Sequence, residues 1–175
     1  DKTFAFMVSL KQARDFQKRL QAGKTIKLSA KVTAGQHPGH YDILTAVIEG
    51  ADPNLKNEEI AFTCHLDHPR PGANDNASGS VTIMEVARAL KKLIDEGKIE
   101  RPKRTIRFIW SPEIEGTTVL LNYRPALAAN IKAVIHMDMV GGGPETKAIF
   151  HVSRSPKSLP SFVSDIGEAF GMYLN

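Results

Sequence analysis

With 175 residues, 42% of them apolar and 24% charged, the chain has the length and make-up of one soluble globular domain with a sizeable core. Its 23 basic and 19 acidic residues leave a net charge of +4, and the basic clusters Lys91-Lys92 and Arg101-Pro102-Lys103-Arg104 lack the interleaved aromatics of a nucleic-acid binder. The apolar runs are too short to cross a bilayer, and Cys64, the one cysteine, has no partner for an internal disulfide.

Ser9–Leu20 is predicted as an amphipathic helix, with Leu10, Ala13, Phe16 and Leu20 near helical spacing and Gly23 as its stop. Thr25–Val32 alternates apolar and polar residues and predicts a half-buried strand. After a turn around Gly35–Gly39, Asp42–Glu49 and Glu59–Cys64 read as two further strands. Pro69–Gly72 is a rigid loop, and a helix begins at Ser78 or Ser80, shows Ile83, Ala87, Leu90 and Ile94 on one face, and ends at Gly97. Thr105–Trp110 and Ile131–Met137 read as core strands around a helix at Thr117–Leu127, with Ala148–Val152 as another strand and Ser158–Phe170 as a closing helix. Strands alternating with helices predict an α/β sandwich on a mostly parallel or mixed sheet.

The chemistry-bearing residues sit where these strands end. His65 and Asp67 follow Glu59–Cys64, Asp75 precedes the long helix, Glu113 follows Thr105–Trp110, and Asp138 follows Ile131–Met137. The carboxyl ends of strands in an α/β sheet are where ligands collect, and one imidazole with several carboxylates suits a zinc-class cation. Each residue alone has a plain structural explanation: a surface His–Asp pair, a helix cap at Asp75, a first-turn carboxylate at Glu113. Their joint placement at one sheet edge points to a metal site.

Three strings carry a family resemblance. His65-Leu66-Asp67-His68-Pro69-Arg70-Pro71-Gly72-Ala73-Asn74-Asp75-Asn76-Ala77-Ser78-Gly79 resembles the signature of the M28 zinc aminopeptidases. Arg104–Trp110 with its following Glu-containing turn, and His136-Met137-Asp138-Met139-Val140-Gly141, are similar to later segments of that family, in the same order. The resemblance implies a three-layer sandwich with a central mixed, mostly parallel sheet, the phosphorylase/peptidase-like fold of zinc exopeptidases. It also implies that residues 1–175 are a partial, incomplete catalytic domain. Ser9–Gly23 resembles the re-entry from an inserted protease-associated domain, which makes residues 1–24 a junction with an upstream module.

By the same resemblance His65 and Asp138 bind the first zinc, Asp75 bridges two metals, Asp67 orients His65, and Glu113 is the general base that takes a proton from the attacking water. The family's adjacent glutamates become Glu113-Ile114-Glu115 here, so the ligand position of the second metal falls on Ile114, with Glu115 as its candidate substitute. The family's last histidine ligand has no counterpart before Asn175, which leaves one zinc site and an incomplete second, and implies that a companion chain or further segment supplies that histidine. The implied substrate is a peptide cleaved at its N-terminal bond. The implied location is secreted or periplasmic, and the residues themselves leave compartment open. Two other readings remain: a one-zinc enzyme that cyclises N-terminal glutamine, and a catalytically silent scaffold on the same fold. His68 and Arg70 beside the metal loop face either substrate or solvent.

Overall fold

The computed structural model describes residues 5–35, 37–147 and 151–174. The chain divides into two units, residues 1–39 and 40–175. In the first, helix α1 spans Leu10–Gln21. It starts where Ser9 and Gln12 form a reciprocal cap: the Gln12 N–H donates to Ser9 Oγ at 3.2 Å, and the Ser9 N–H to Gln12 Oε1 at 3.0 Å. Lys18 and Arg19 lie in the last turn, where the helix dipole favours cations, and Gly23 leaves the helix at a φ of 73°.

The strand predicted at Thr25–Val32 does not form. Those residues are unpaired with any strand among the described residues, and Leu28 and Val32 are exposed. Alternation supplies an apolar face, but a strand also needs a neighbour for its backbone N–H and C=O groups. That segment has none.

Among the described residues, the second unit is an α/β structure on a four-stranded mixed sheet. Its strands are β1 (Leu44–Ile48), β2 (Glu59–His65), β3 (Thr105–Ser111) and β4 (Ile131–His136), in the order β1-β3-β2-β4. β2 runs parallel to both β3 and β4, while β1 lies antiparallel on the outer edge of β3. Helix α2 (Gly79–Asp95) follows the predicted periodicity, and Gly97 just beyond its end turns the chain at a φ of 66°. The single helix expected at Thr117–Leu127 is two, α3 (Glu115–Tyr123) and α4 (Pro125–Asn130). Arg124 precedes a proline and is excluded from helical backbone by its ring; it adopts φ −126° and ψ 63°. The closing helix α5 covers Phe162–Leu174 rather than Ser158–Phe170, because Pro160 keeps Leu159 out of the helix. Residues 148–150 of the strand expected at Ala148–Val152 lie outside the described residues. Among the described residues no helix is long and apolar enough to cross a membrane.

The core lies between α2 and one sheet face. Cys64, Ile83 and Phe108 are buried there, with Phe62, Val86, Leu90 and Trp110 packed around them. Phe62, Phe108 and Trp110 stack in sequence, at centroid distances of 5.5 and 6.3 Å. Burial pushes the Cys64 thiol up, which keeps it a neutral packing group. The opposite face, with Ala61, Thr63 and Ile109, looks toward α3 across a cavity of about 400 Å³. Helices therefore lie on both sides of the sheet.

This packing makes Ile83, fully buried on α2, a keystone of the unit. Ile83→Ala is expected to lower unfolding free energy by about 2–5 kcal/mol, and Val81→Ala on the exposed side by less than about 0.5 kcal/mol. Denaturant titration of the two variants checks the difference.

Candidate metal centre

Parallel pairing brings the carboxyl ends of three strands to one edge. His65 is in register with Ser111 across β2 and β3, and Thr63 with His136 across β2 and β4. Two residues beyond His65, Ser111 and His136 come Asp67, Glu113 and Asp138, so the register delivers three carboxylates to the same rim. The fourth, Asp75, arrives by a different route. It lies in a kinked helical turn, Ala73–Ser78, where Asp75 (φ −108°, ψ 95°) and Asn76 (φ −133°, ψ 41°) leave helical backbone.

Asn76 holds that turn against the Asp138 segment. Its side chain donates to the Met137 carbonyl at 3.0 Å and accepts from the Gly79 N–H at 2.9 Å and the Met139 N–H at 3.2 Å. The residue is 2% exposed, so these bonds form out of water, where an unmade one is costly. Two outer contacts repeat the tie, from the Val140 N–H to Ser78 Oγ (3.0 Å) and from the Gly141 N–H to Asn74 Oδ1 (2.8 Å). Gly79 is required at this junction, because a Cβ there would collide with the Met137 carbonyl and the Asn76 carboxamide.

The result is a convergent donor set. His65 Nε2 is 3.0 Å from Asp75 Oδ1 and 3.3 Å from Asp138 Oδ1, and the ligand atoms of all three residues lie within 4.8 Å of one another. Donors held about 2.0–2.1 Å from a tetrahedral zinc-class ion stand roughly 3.3 Å apart, so these separations fit such a cation. The other imidazole nitrogen, Nδ1, is 2.9 Å from the Asp67 carbonyl. A carbonyl only accepts, so the ring proton sits on Nδ1 and Nε2 is free to ligate. Burial opposes protonation of His65, but the Asp67 carbonyl and the Asp138 and Glu113 carboxylates outweigh it and hold the imidazole above its ordinary value.

The remaining predicted residues surround this triad. Glu113 lines the 400 Å³ cavity together with His65, His136 and Asp138. Its N–H donates to Asp67 Oδ1 at 2.7 Å, while that same oxygen is 4.0 Å from His65 Nδ1. Asp67 thus orients His65 through its main-chain carbonyl and steadies the Glu113 turn through its carboxylate. Ile114 adopts a φ of 51°, a costly left-handed backbone for a β-branched residue, and the residue is 72% exposed. Glu115 opens α3, is exposed, and is not among the gathered donors.

Two further histidines stand here: His136, given no role of its own from the sequence, and His68, expected there to face substrate or solvent. His136 Nδ1 is 2.8 Å from Thr63 Oγ1, and burial lowers its pKa. Its position as the last residue of β4, two before Asp138, was the available signal. His68 Nε2 lies 3.4 Å from the second oxygen of Asp75, a contact that depends on how the loop closes.

The profile of Peptidase family M28 matches residues 44–174, and the chain belongs to that family. Members of this family generally depend on a metal ion, which agrees with the donor triad. The chain is 30% identical to "Leucine aminopeptidase 1" of Pyrenophora tritici-repentis over 139 residues, covering 69% of this chain and 34% of the relative. It is 33% identical over 142 residues to the protein of the same name from Fusarium vanettenii, covering 67% and 35%. It thus spans about a third of the length of these relatives. Among solved structures, the Legionella pneumophila LapA aminopeptidase is similar at 24% identity and a TM-score of 0.40, over 73% of this chain and 33% of that one.

Two outcomes follow from the geometry. Asn76→Ala strips three buried hydrogen bonds, with a cost of about 1–3 kcal/mol for each polar group left unsatisfied. It is expected to weaken cation binding as well as the fold, read by calorimetric titration and thermal melting. After chelation, the raised His65 pKa contributes stability that is complete below the ordinary imidazole value of 6.5 and is lost as pH rises through the folded value. Cation binding needs the neutral ring, so affinity rises across that same interval. Melting curves from pH 5 to 9, with and without added cation, are expected to diverge as pH increases.

Proposed function

We propose that the chain hydrolyses N-terminal peptide bonds, with zinc held by His65, Asp75 and Asp138 and with Glu113 as general base. The observation that supports this most is the convergence of one imidazole and two carboxylates beside a fourth carboxylate that shares their cavity. Zinc bound there supplies a Lewis acid that polarises the scissile carbonyl and acidifies the attacking water.

The protein side of the reaction follows from the contacts. Glu113 takes the proton of the attacking water and later passes it to the leaving amine. Asp67 keeps Glu113 in place by accepting its backbone N–H, and at the same time fixes the His65 tautomer. Ile109, Leu120, Leu121, Ile131 and Val134 wall the cavity beyond the carboxylates, which favours an apolar group of the substrate. The relatives are named for leucine aminopeptidase activity, in line with an apolar N-terminal residue.

A second reading is favoured by Ile114, which puts an alkyl side chain where the family resemblance expects a metal-binding carboxylate. It is a one-zinc enzyme that cyclises N-terminal glutamine. Assay of a glutaminyl peptide separates the two, since cyclisation releases ammonia and leaves the peptide bond intact.

For the hydrolase, Glu113→Gln is expected to lower kcat about 10²–10⁴-fold with unchanged zinc content. Wild-type turnover in that variant contradicts the assignment of the base.

A further inference from the structure

Side chains two apart on a strand share a face, so Thr63 stands directly beneath His65 on β2. His136 closes β4 two residues before Asp138 and is the register partner of Thr63. Pairing of β2 with β4 ends there, whereas β2 and β3 stay paired as far as His65 and Ser111. Asp138 is therefore carried on chain that has just left the ladder, and its last attachment to the sheet decides where it stands.

That attachment is a two-point grip by one residue. The Thr63 carbonyl accepts the Met137 N–H at 2.8 Å, and the Thr63 hydroxyl lies 2.8 Å from His136 Nδ1. Both separations are those of good hydrogen bonds. The side-chain bond forms with either tautomer, since a hydroxyl can donate to a bare ring nitrogen or accept from a protonated one. A single backbone bond lets a strand end pivot about it; a side-chain bond on the cavity face removes that freedom. From the side of α2, Asn76 holds the same stretch through the Met137 carbonyl and the Met139 N–H. The backbone on either side of Asp138 is thus held from two directions.

We propose that Thr63 and His136 are a positioning pair for the cation site: their side-chain bond sets the separation between His65 and the Asp138 carboxylate. The inference rests on the His65–Asp75–Asp138 site proposed above. It goes beyond that site by assigning the spacing of two of its donors to residues that are not ligands themselves. The demand on spacing is strict, because donors must lie within about 0.2 Å of their ideal distance from the ion.

The test is titration of the chelator-treated protein with cobalt(II), followed by visible absorption, with melting curves of the metal-free proteins beside it. Thr63→Val keeps the branched shape without the hydroxyl, Thr63→Ser keeps the hydroxyl, and His136→Phe keeps a ring without Nδ1. Thr63→Val and His136→Phe are each expected to weaken cobalt binding about 10-fold, the lower end of the range for residues that orient ligands. Their double variant is expected to lose no more than either alone, since both changes remove the same bond. Thr63→Ser is expected to bind as the wild type does, a rescue that a packing role would not give. All are expected to melt near the wild type when metal-free; should one single variant fail to fold, the other reads the same bond. Wild-type affinity in Thr63→Val or His136→Phe overturns the pair and leaves the site intact. Additive losses in the double variant, or a loss in Thr63→Ser equal to that in Thr63→Val, do the same. A wild type that binds no cobalt overturns the site and the pair together.

Discussion

The carboxamide of Asn76 is where two distant stretches of chain are joined. One is the kinked turn that carries Asp75; the other is the exit from β4 that carries Asp138, more than sixty residues later in sequence. The two carboxylates repel each other at a few ångströms and, among the described residues, share only the His65 imidazole, whose Nε2 is 3.0 and 3.3 Å from them. The hydrogen bonds of the buried Asn76 hold the two backbones in place despite that repulsion, and a cation held between the carboxylates would relieve it. A site assembled in this way has its strain in the side chains and its stability in the amide network beneath. Asn76 is neutral and makes its bonds to backbone atoms, so they persist whatever the protonation of the carboxylates above.

The sheet provides the second half of the design. Because β2, β3 and β4 run parallel, their ends point to one edge, with His136 level with Thr63 and Ser111 level with His65, and a carboxylate two residues past each end reaches the same rim. The stacked aromatic face under α2 then anchors that rim from below, with Trp110 Nε1 donating to the Ser80 carbonyl at 3.1 Å and Ser80 Oγ to the His65 carbonyl at 3.3 Å. Core packing and ligand placement are therefore continuous: the same start of α2 that closes the core also fixes the backbone of His65. The opposite face stays open as the cavity, which is where Glu113 meets the donor triad.

Much of this was legible because its signals are local. The strands β2, β3 and β4 are short apolar runs, α2 has a clear periodicity, and His65, Asp67, Glu113 and Asp138 lie at or just past a run's end, while Asp75 precedes α2. The helix break at Pro125 was legible in principle, since a proline restricts the residue before it. Thr25–Val32 misled because alternation records a face and not a partner. The contacts of His68, His136 and the Asp67 carboxylate needed the fold itself. Asp67 meets the Glu113 N–H only through the β2–β3 register, and His68 meets Asp75 only through the closure of the loop at Gly72.

Membership of Peptidase family M28 and the geometry of the rim lead to one chemical claim, that His65, Asp75 and Asp138 together hold a cation beside Glu113. Zinc content per chain tests it most directly, measured after dialysis against a weak chelator and compared with the His65→Ala, Asp138→Ala double variant. The account predicts zinc retained tightly by the wild type and absent from the double variant, with both proteins folded by circular dichroism. Equal zinc in the two proteins, or none in the wild type, would contradict it.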